Sequence, residues 1–142
     1  MIQESNRLLR LVILGSAVPS QNDWDRFHWG KRSKMKRDWF FVIVAAMNAR
    51  ATNPAGHCER EEGYEKAVKG EKRRIVVTHY RKRLCDEDNL TAASKSLIID
   101  NVRDPRIGLI FNDDPKHAKI EIRQHPVTID LPMISIEIFK TR

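Results

Sequence analysis

Residues 73–102 constrain the fold most, because a strand-like pattern gives way there to a helical one. The run Ile75–Tyr80 is rich in β-branched side chains and predicts a strand. Apolar residues at helical spacing follow, and Asp88 or Asn89 is the predicted N-cap of a helix that ends near Val102. A strand that leads into a helix favours a fold in which helices pack on a sheet.

The N-terminal third of the chain predicts another strand and another helix. Residues 8–14 are apolar and rich in strand-forming side chains, which predicts the first strand. Pro19 opens a polar stretch, residues 19–23, that predicts a loop. Apolar side chains at helical spacing then predict a helix from about residue 33 to residue 48; they are Met35, Trp39, Val42 and Ala46.

The C-terminal third alternates between apolar and polar residues in two places. Lys119–Arg123 and Ile134–Ile138 predict two antiparallel strands, each with one solvated face. Residues 51–72 are polar and predict a loop or a mobile insertion. The order is therefore β-α-β-α-β-β, without an internal repeat or a clear linker. We predict a single α+β domain over residues 1–142, with helices packed on one face of a mixed sheet.

The charge of the chain narrows the class of partner. Lysine and arginine number 26 against 19 acidic residues, which gives a formal net charge of +7. A basic balance of this size favours phosphate-bearing partners through Coulomb attraction and counterion release, although a basic protein without such a partner is the alternative. The two cysteines form no CxxC motif and suit a reducing cytosol. No run approaches the roughly 20 apolar residues of a membrane span, so no membrane partner is expected.

Two small acidic clusters interrupt this basic background. Asp86 and Asp88 follow the predicted second strand, and Asp113 and Asp114 come later in the chain. In an extended segment Asp86 and Asp88 would point the same way, and Asp113 or Asp114 would return to the same place from a loop. Three grouped carboxylates suit Mg²⁺ or Mn²⁺. The alternative is that these acids only cap a helix and form a turn.

Two further residues near the acidic clusters are candidates for chemistry. Lys95 lies two helical turns after Asp88 on the same face, where an amine would stabilise charge that develops on a phosphate. The alternative for Lys95 is a solvent-facing helix lysine. His117 is a candidate for substrate contact or proton transfer, with a surface histidine as its alternative.

A basic segment with aromatic residues, positions 26–37, predicts contact with a strand of phosphates. Its lysines and arginines suit the backbone, and Trp29 or His28 suits a sugar or a base. The alternative is a solvated helix start with Trp29 in the core. Cations around the second predicted strand would extend the positive surface. The predicted nucleic-acid contacts are His28, Trp29, Lys31, Arg32, Lys34, Lys36, Arg37, Arg73, Arg74 and Arg81.

In this order, the motifs resemble those of the RusA-type Holliday-junction resolvases, particularly the versions carried by phages and prophages. The resemblance covers roughly residues 8–50 and 73–140. It rests on the apolar first strand with the loop from Pro19 to Asn22, His28-Trp29-Gly30-Lys31-Arg32, Asp86-x-Asp88-Asn89-Leu90, Lys95, and Asn112-Asp113-Asp114-Pro115-Lys116-His117.

The resemblance implies a homodimeric endonuclease of the bacterial cytoplasm that nicks four-way DNA junctions symmetrically. It implies Mg²⁺ or Mn²⁺ as the metal and no small-molecule cofactor. By position, Asp86, Asp88 and Asp114 correspond to the metal-binding catalytic carboxylates, with Asp113 as their neighbour. The lysine of the family corresponds to Ala92 in this chain, so Lys95 would have to take its role.

Two other functions fit the same residues. A relative that grips branched DNA without cutting it would explain the displaced lysine, and its binding would depend steeply on salt but not on metal. A metal nuclease that acts on flaps or single strands would use the same local motifs, because the choice of a junction depends on dimer shape and surface charge.

Overall fold

A computed structural model of the chain describes residues 6–15, 17–19, 21–49, 56–128 and 131–141. In chain order, its elements are β1 (Arg7–Leu14), α1 (Gln21–Arg26), α2 (Trp29–Met47), β2 (Gly56–Arg60), β3 (Arg73–Arg81), α3 (Glu87–Ser94), α4 (Asp100–Val102), β4 (Ala118–Pro126) and β5 (Met133–Lys140). A π-helical turn, Lys95–Ile99, joins α3 to α4, so the chain is helical from residue 87 to residue 102. Among the described helices, none is both long and apolar enough to cross a bilayer.

The five strands form one mixed sheet in the order β2-β1-β5-β3-β4. The central strand β5 runs antiparallel to both β1 and β3, whereas β4 runs parallel to β3 at the edge. The predicted single α+β domain with a mixed sheet is therefore confirmed. The antiparallel prediction holds for β5 and is wrong for β4, because the helical segment 87–102 carries the chain back so that β4 starts at the same end as β3.

One face of the sheet carries the core. Alternate residues of the strands point to this face, and the helices cover it because their apolar side chains recur at helical spacing. On the strands the buried side chains include Leu9, Leu11, Ile13, Ile75, Val77, Ile134, Ile136 and Ile138; on the helices they include Trp24, Trp39, Ile43, Leu90, Leu97 and Ile98. The predicted packing of helices on one face is thus present.

Charged side chains cover part of the other face of the sheet. Arg74 donates two hydrogen bonds to Glu121, at 2.8 and 3.0 Å, and its guanidinium lies over the ring of Phe139. Val76 and Phe139 are buried beneath such side chains, with exposed fractions of 1% and 3%. We call this surface the open face, because none of the described helices packs on it.

One helix was not predicted, and another begins earlier than predicted. Helix α1 starts at Gln21, inside the predicted loop 19–23, and α2 starts at Trp29 instead of near residue 33. The start of α2 is fixed by His28, whose Nδ1 accepts a hydrogen bond from the Gly30 backbone N–H at 3.2 Å. A histidine cap is unusual, since Ser, Thr, Asp and Asn are the common caps, and sequence pattern therefore placed the start too late.

The predicted loop over residues 51–72 was wrong for its middle part. Residues 51–55 lie outside the described residues, and 56–60 form β2, which pairs with β1. At Gly56 φ is +147°, and a Cβ there would collide with the Val12 carbonyl oxygen, so the close approach of the two strands requires glycine. The Arg60 guanidinium also donates to the Met47 carbonyl at 2.6 Å. Pairing with β1, rather than intrinsic strand propensity, makes this segment a strand.

A buried histidine links β3 to α3 and makes stability depend on pH. His79 is 1% exposed, and its Nε2 lies 2.8 Å from the Oγ of the buried Ser94. Burial, aided by the charge of Arg81, lowers the pKa of His79 to about 4, from 6.5. Above pH 6.5 both folded and unfolded chains keep this group neutral. Between pH 6.5 and 4 the unfolded chain binds more protons, so stability falls as the pH drops through that window.

We expect this histidine to weaken the fold by about 3 kcal/mol between pH 7 and pH 4, since one pKa unit corresponds to ~1.4 kcal/mol. The measurement is the free energy of unfolding in urea across that range. In the double variant His79→Val/Ser94→Ala both polar partners are removed, and the loss on acidification should shrink by that amount. His125→Gln, at an exposed histidine, is the control. An unchanged pH profile in the double variant would contradict this account.

Candidate functional site

Hydrogen bonds from a side chain of the edge strand β4, Gln124, hold the start of α3 against the sheet. Gln124 accepts a hydrogen bond from the Cys85 backbone N–H (3.1 Å) and donates one to the Cys85 carbonyl (2.7 Å). Asp86 then caps α3, because its Oδ1 accepts from the backbone N–H groups of Asp88 and Asn89 at 3.0 and 3.3 Å. Asp86 is therefore the N-cap, and the predicted cap at Asp88 or Asn89 was wrong.

The cap uses one oxygen of Asp86 and leaves the carboxylate of Asp88 free. Both side chains are exposed, and within the described ranges Asp88 accepts no hydrogen bond and makes no ion pair. Asp88 is already helical, so the predicted extended geometry was wrong; a helical first turn also favours negative charge there. The alternative in which these acids only cap a helix therefore accounts for Asp86, whereas the Asp88 side chain caps no backbone group among the described residues.

Lys95 shares a helix face with Asp88. The α-helical geometry of α3 continues to Lys95, so their separation of seven positions makes almost two turns and about 10 Å along the axis. Helical side chains lean towards the N-terminus of their helix, which directs the exposed Lys95 towards the acidic end. Ala92, at the position of the family lysine, lies between the two and carries no charge.

Asp114 is held in a tight turn before β4. Its Oδ1 accepts from the backbone N–H groups of Lys116 and His117 and from His117 Nδ1, at 3.0, 3.1 and 2.8 Å. Its Oδ2 accepts from Asn112 at 3.1 Å. The hydrogen bond from His117 holds the pKa of Asp114 below its usual range. Asp113 is exposed beside it. These hydrogen bonds agree with the alternative in which Asp114 only forms a turn.

His117 joins this turn to the loop before β3. The Gly70 backbone N–H donates to His117 Nε2 at 2.9 Å, so the ring proton lies on Nδ1 and is donated to Asp114. The His117 side chain is mostly buried, and its ring packs against Phe111. These bonds give His117 a structural role and exclude the alternative of a surface histidine.

The two acidic groups lie at opposite ends of the sheet. Strands β3 and β4 are parallel, with Arg73 opposite Ala118 at one end and Arg81 opposite Pro126 at the other. Asp114 precedes the first end and Asp86 follows the second, and nine strand residues span roughly 26 Å. In the described residues no group of three or more His, Cys, Asp or Glu side chains is placed to hold a metal ion. One chain therefore does not bring the predicted carboxylates together.

The N-terminal half of α2 presents an aromatic and basic surface. Trp29 is 73% exposed, whereas Trp24 and Trp39 are buried, so the alternative with Trp29 in the core is excluded. Lys34 and Arg37 are exposed on the same helix. Helix α1, which packs against α3, also holds α2 through the Arg32 guanidinium. The basic surface and the acidic start of α3 thus belong to one helical layer.

Several predicted nucleic-acid contacts are engaged within the chain. Arg32 donates to the carbonyls of Trp24 and Asp25, and Lys36 pairs with Asp100 at 3.1 Å. The Lys31 amine lies 3.9 Å from the centroid of the Phe27 ring. These three cations remain at least partly exposed. His28 caps α2 through one ring nitrogen, and its side chain is exposed as well.

The arginines of β3 separate into three environments. Arg73 is buried and bound by internal acceptors, so its predicted contact with nucleic acid was wrong. Arg74 lies on the open face, bound to Glu121. Arg81 donates to Cys85 Sγ at 3.4 Å and lies near the acidic end of α3. Only Arg81 therefore extends the positive surface towards Asp86.

Sequence pattern missed the side chain that positions the acidic pair. Gln124 lies 39 residues after Cys85, and no local motif relates the two positions. Its only signal is a polar side chain at an inward position of an otherwise apolar strand face, beside Ile120 and Ile122. No family model matches the chain, and no curated protein matches its sequence.

Proposed function

We propose that this protein is a metal-dependent endodeoxyribonuclease that cuts branched DNA, with the four-way junction as its substrate. The observation that carries the proposal is the exposed carboxylate of Asp88, which has no partner among the described residues and lies in the same helical layer as a basic helix that exposes Trp29. Acidic groups at a fixed place within a cationic protein suit metal chemistry on a polyanion. The proposed location is the bacterial cytoplasm, on host, phage or prophage DNA.

The acidic start of α3 fits a hard cation. Mg²⁺ takes one or two protein carboxylates and keeps water and substrate phosphate in its remaining positions, which suits Asp88 and the second oxygen of Asp86. Bound there, Mg²⁺ or Mn²⁺ would supply an activated water and neutralise charge at the scissile phosphate. The reaction is hydrolysis of a phosphodiester, with a 5′-phosphate and a 3′-hydroxyl as products. Lys95 would stabilise negative charge on the phosphate from the same helix face.

A homodimer would reconcile the proposal with the separation of the acidic groups. Asp113 and Asp114 lie too far from Asp86 and Asp88 to act with them in one chain. In a two-fold dimer the Asp114 end of one subunit can meet the Asp86 end of the other, which would create two equivalent sites. Two such sites match the two-fold symmetry of a junction that is nicked on two strands.

A non-catalytic DNA-binding protein is the second candidate. It is favoured by the structural roles of Asp86 as a helix cap and of Asp114 as a turn cap, together with Ala92 at the lysine position. Such a protein would use the basic surface of α2 and would need no metal.

Cleavage of a labelled synthetic four-way junction separates these functions. Linear duplex, single strand and a flap are the comparison substrates, each with Mg²⁺, Mn²⁺ or EDTA. Paired symmetric nicks in the junction alone, lost with EDTA, would support a resolvase. Cutting of flaps or single strands instead would indicate a different metal nuclease. Tight junction binding without nicks under any metal would overturn the enzymatic proposal in favour of the binding protein.

Trp29→Ala should weaken junction binding by about tenfold or more, because stacking of one base on an aromatic ring contributes roughly 1–3 kcal/mol. Its exposed side chain makes few contacts, so the free energy of unfolding should not change. Phe41→Ala, at a 60% exposed position in the other half of the same helix, is the matched control. Equal affinities of the two variants, measured by fluorescence anisotropy of labelled DNA, would argue against a stacking role.

A further inference from the structure

Strand β4 is a long edge strand, and no other strand of the described residues pairs with its outer side. It spans nine residues, whereas β2 at the opposite edge spans five. Between residues 119 and 125, its backbone groups that point away from β3 have no backbone partner in the part of the chain that is described. Long unpaired edges are templates for pairing with another strand, and proteins usually shorten, cover or pair them.

The sequence of β4 is complementary to itself when two copies run antiparallel. Glu121 and Arg123 point to the open face, as their bonds to Arg74 and to each other show. If Ile122 lies on the two-fold axis, Glu121 faces Arg123 of the partner subunit on both sides of the axis. Cross-strand pairs of opposite charge stabilise a sheet, and like charges directly opposite destabilise it.

Other registers are worse by charge or by overlap. An axis at Glu121 or at Arg123 would place identical charges opposite each other. An axis at Ile120 would again pair opposite charges but would use only the first five residues of the strand. The axis at Ile122 pairs all nine residues, 118–126, and brings two partly buried Ile122 side chains together on the face that the helices cover.

We propose that two copies of this chain pair through β4 in antiparallel orientation about Ile122, which joins their five-stranded sheets into one. The partner that this surface fits is therefore a second copy of the same protein. On the open face, the Arg74–Glu121–Arg123 cluster of each subunit would continue into that of the other.

This pairing bears on the catalytic site, and that consequence rests on the proposed function. In antiparallel pairing, the beginning of β4 in one subunit adjoins the end of β4 in the other. Gln124 near the end of β4 holds the Cys85–Asp88 segment, and Asp114 precedes the beginning of β4 by four residues. The interface would thus bring Asp114 of the partner subunit to the Asp86 end, which neither chain achieves alone.

Disulfide trapping tests the register independently of any nuclease activity. In a Cys58→Ser/Cys85→Ser background, Ile122→Cys places one cysteine on the axis, where opposed Cα atoms lie about 4.5–5.5 Å apart and a disulfide fits. Ile120→Cys is the matched control, because its two copies would be about 13 Å apart. Mild oxidation should cross-link most of the Ile122→Cys protein and leave Ile120→Cys at background.

A charge reversal provides a second test. Arg123→Glu would place like charges opposite each other twice, and we expect the dimer dissociation constant to rise by at least about tenfold. Light scattering would report the change from twice the 16.5 kDa chain mass towards the monomer. A wild-type monomer, equal cross-linking at the two cysteine positions, or an unaffected dimer in Arg123→Glu would each overturn the interface. None of these results depends on whether the protein cuts DNA.

Discussion

Asp88→Asn should abolish junction cleavage while junction binding is retained or strengthened. The Asp88 carboxylate is exposed and accepts no hydrogen bond from the described residues, so its replacement by an amide of the same shape should leave α3 intact. An amide lacks the negative charge that a hard cation requires, and its loss removes repulsion between the protein and DNA phosphates. We expect the cleavage rate to fall by at least about a thousandfold, which corresponds to a loss of about 4 kcal/mol of transition-state stabilisation.

The matched control is Glu62→Gln, which removes one charge at an exposed position of the loop before β3. Cleavage by this variant should equal that of the wild type. Cleavage rates and anisotropy titrations at one salt concentration, with and without Mg²⁺, report both parts of the prediction. Retained nuclease activity in Asp88→Asn would rule out α3 as the metal site.

Mixing of two inactive variants extends this test to the dimer. If each site takes Asp88 from one subunit and Asp114 from the other, a heterodimer of Asp88→Asn with Asp114→Asn has one intact and one doubly altered site. One strand of a junction should then be nicked, although neither homodimer cuts. If both residues acted within the same chain, every site in the heterodimer would carry one substitution and the mixture would stay inactive.

Arg73→Met should cost about 3–5 kcal/mol of folding free energy, a large part of the stability of a domain of this size. Arg73 is 3% exposed. Its guanidinium donates to Glu71 (2.9 Å), to the carbonyl of Glu65 (2.7 Å) and to that of Leu109 (3.3 Å). Methionine fills a similar volume but leaves these acceptors unpaired, and unpaired buried acceptors are costly.

The control for Arg73→Met is Arg103→Met, because the Arg103 side chain is 43% exposed and exposed ion pairs contribute about 1 kcal/mol or less. Urea unfolding of both variants gives the comparison. Arg73→Lys keeps the charge without the planar fork, so its stability should fall between those of the wild type and Arg73→Met. Similar losses for Arg73→Met and Arg103→Met would show that the buried network contributes little.

The local sequence pattern was enough to predict those strands and helices whose formation depends on residues close in the chain. The apolar run at residues 8–14, the β-branched run at 75–80 and the helical spacing up to Val102 each formed the predicted element. Strand β2 could not be predicted, because residues 56–60 carry little strand propensity and become a strand by pairing with β1.

The candidate site was chosen by residue type, and its geometry could not be predicted. Asp88 and Trp29 are exposed, as the roles proposed for them require. Sequence pattern does not show, however, in which direction a strand runs relative to its neighbour. Strand β4 runs parallel to β3, and this arrangement places Asp114 far from Asp86. Arg73 looked like one more surface cation because burial of an arginine depends on acceptors from distant segments, such as the Leu109 carbonyl.

The π-helical turn Lys95–Ile99 sets the angle, about the helix axis, between the side chains of α3 before it and those of α4 after it. Such a turn accommodates about one residue more than an α turn, so the residues after it are rotated by roughly 100° relative to an uninterrupted helix. Before the turn, Asp88 is directed to solvent; after it, Asp100 is directed to α2, where it binds Lys36. The turn therefore acts as a one-residue insertion that lets the acidic half and the docked half keep separate orientations. Deletion of one residue from Lys95–Ile99 would restore a regular helix. Asp88 and Asp100 could then no longer both keep their present directions.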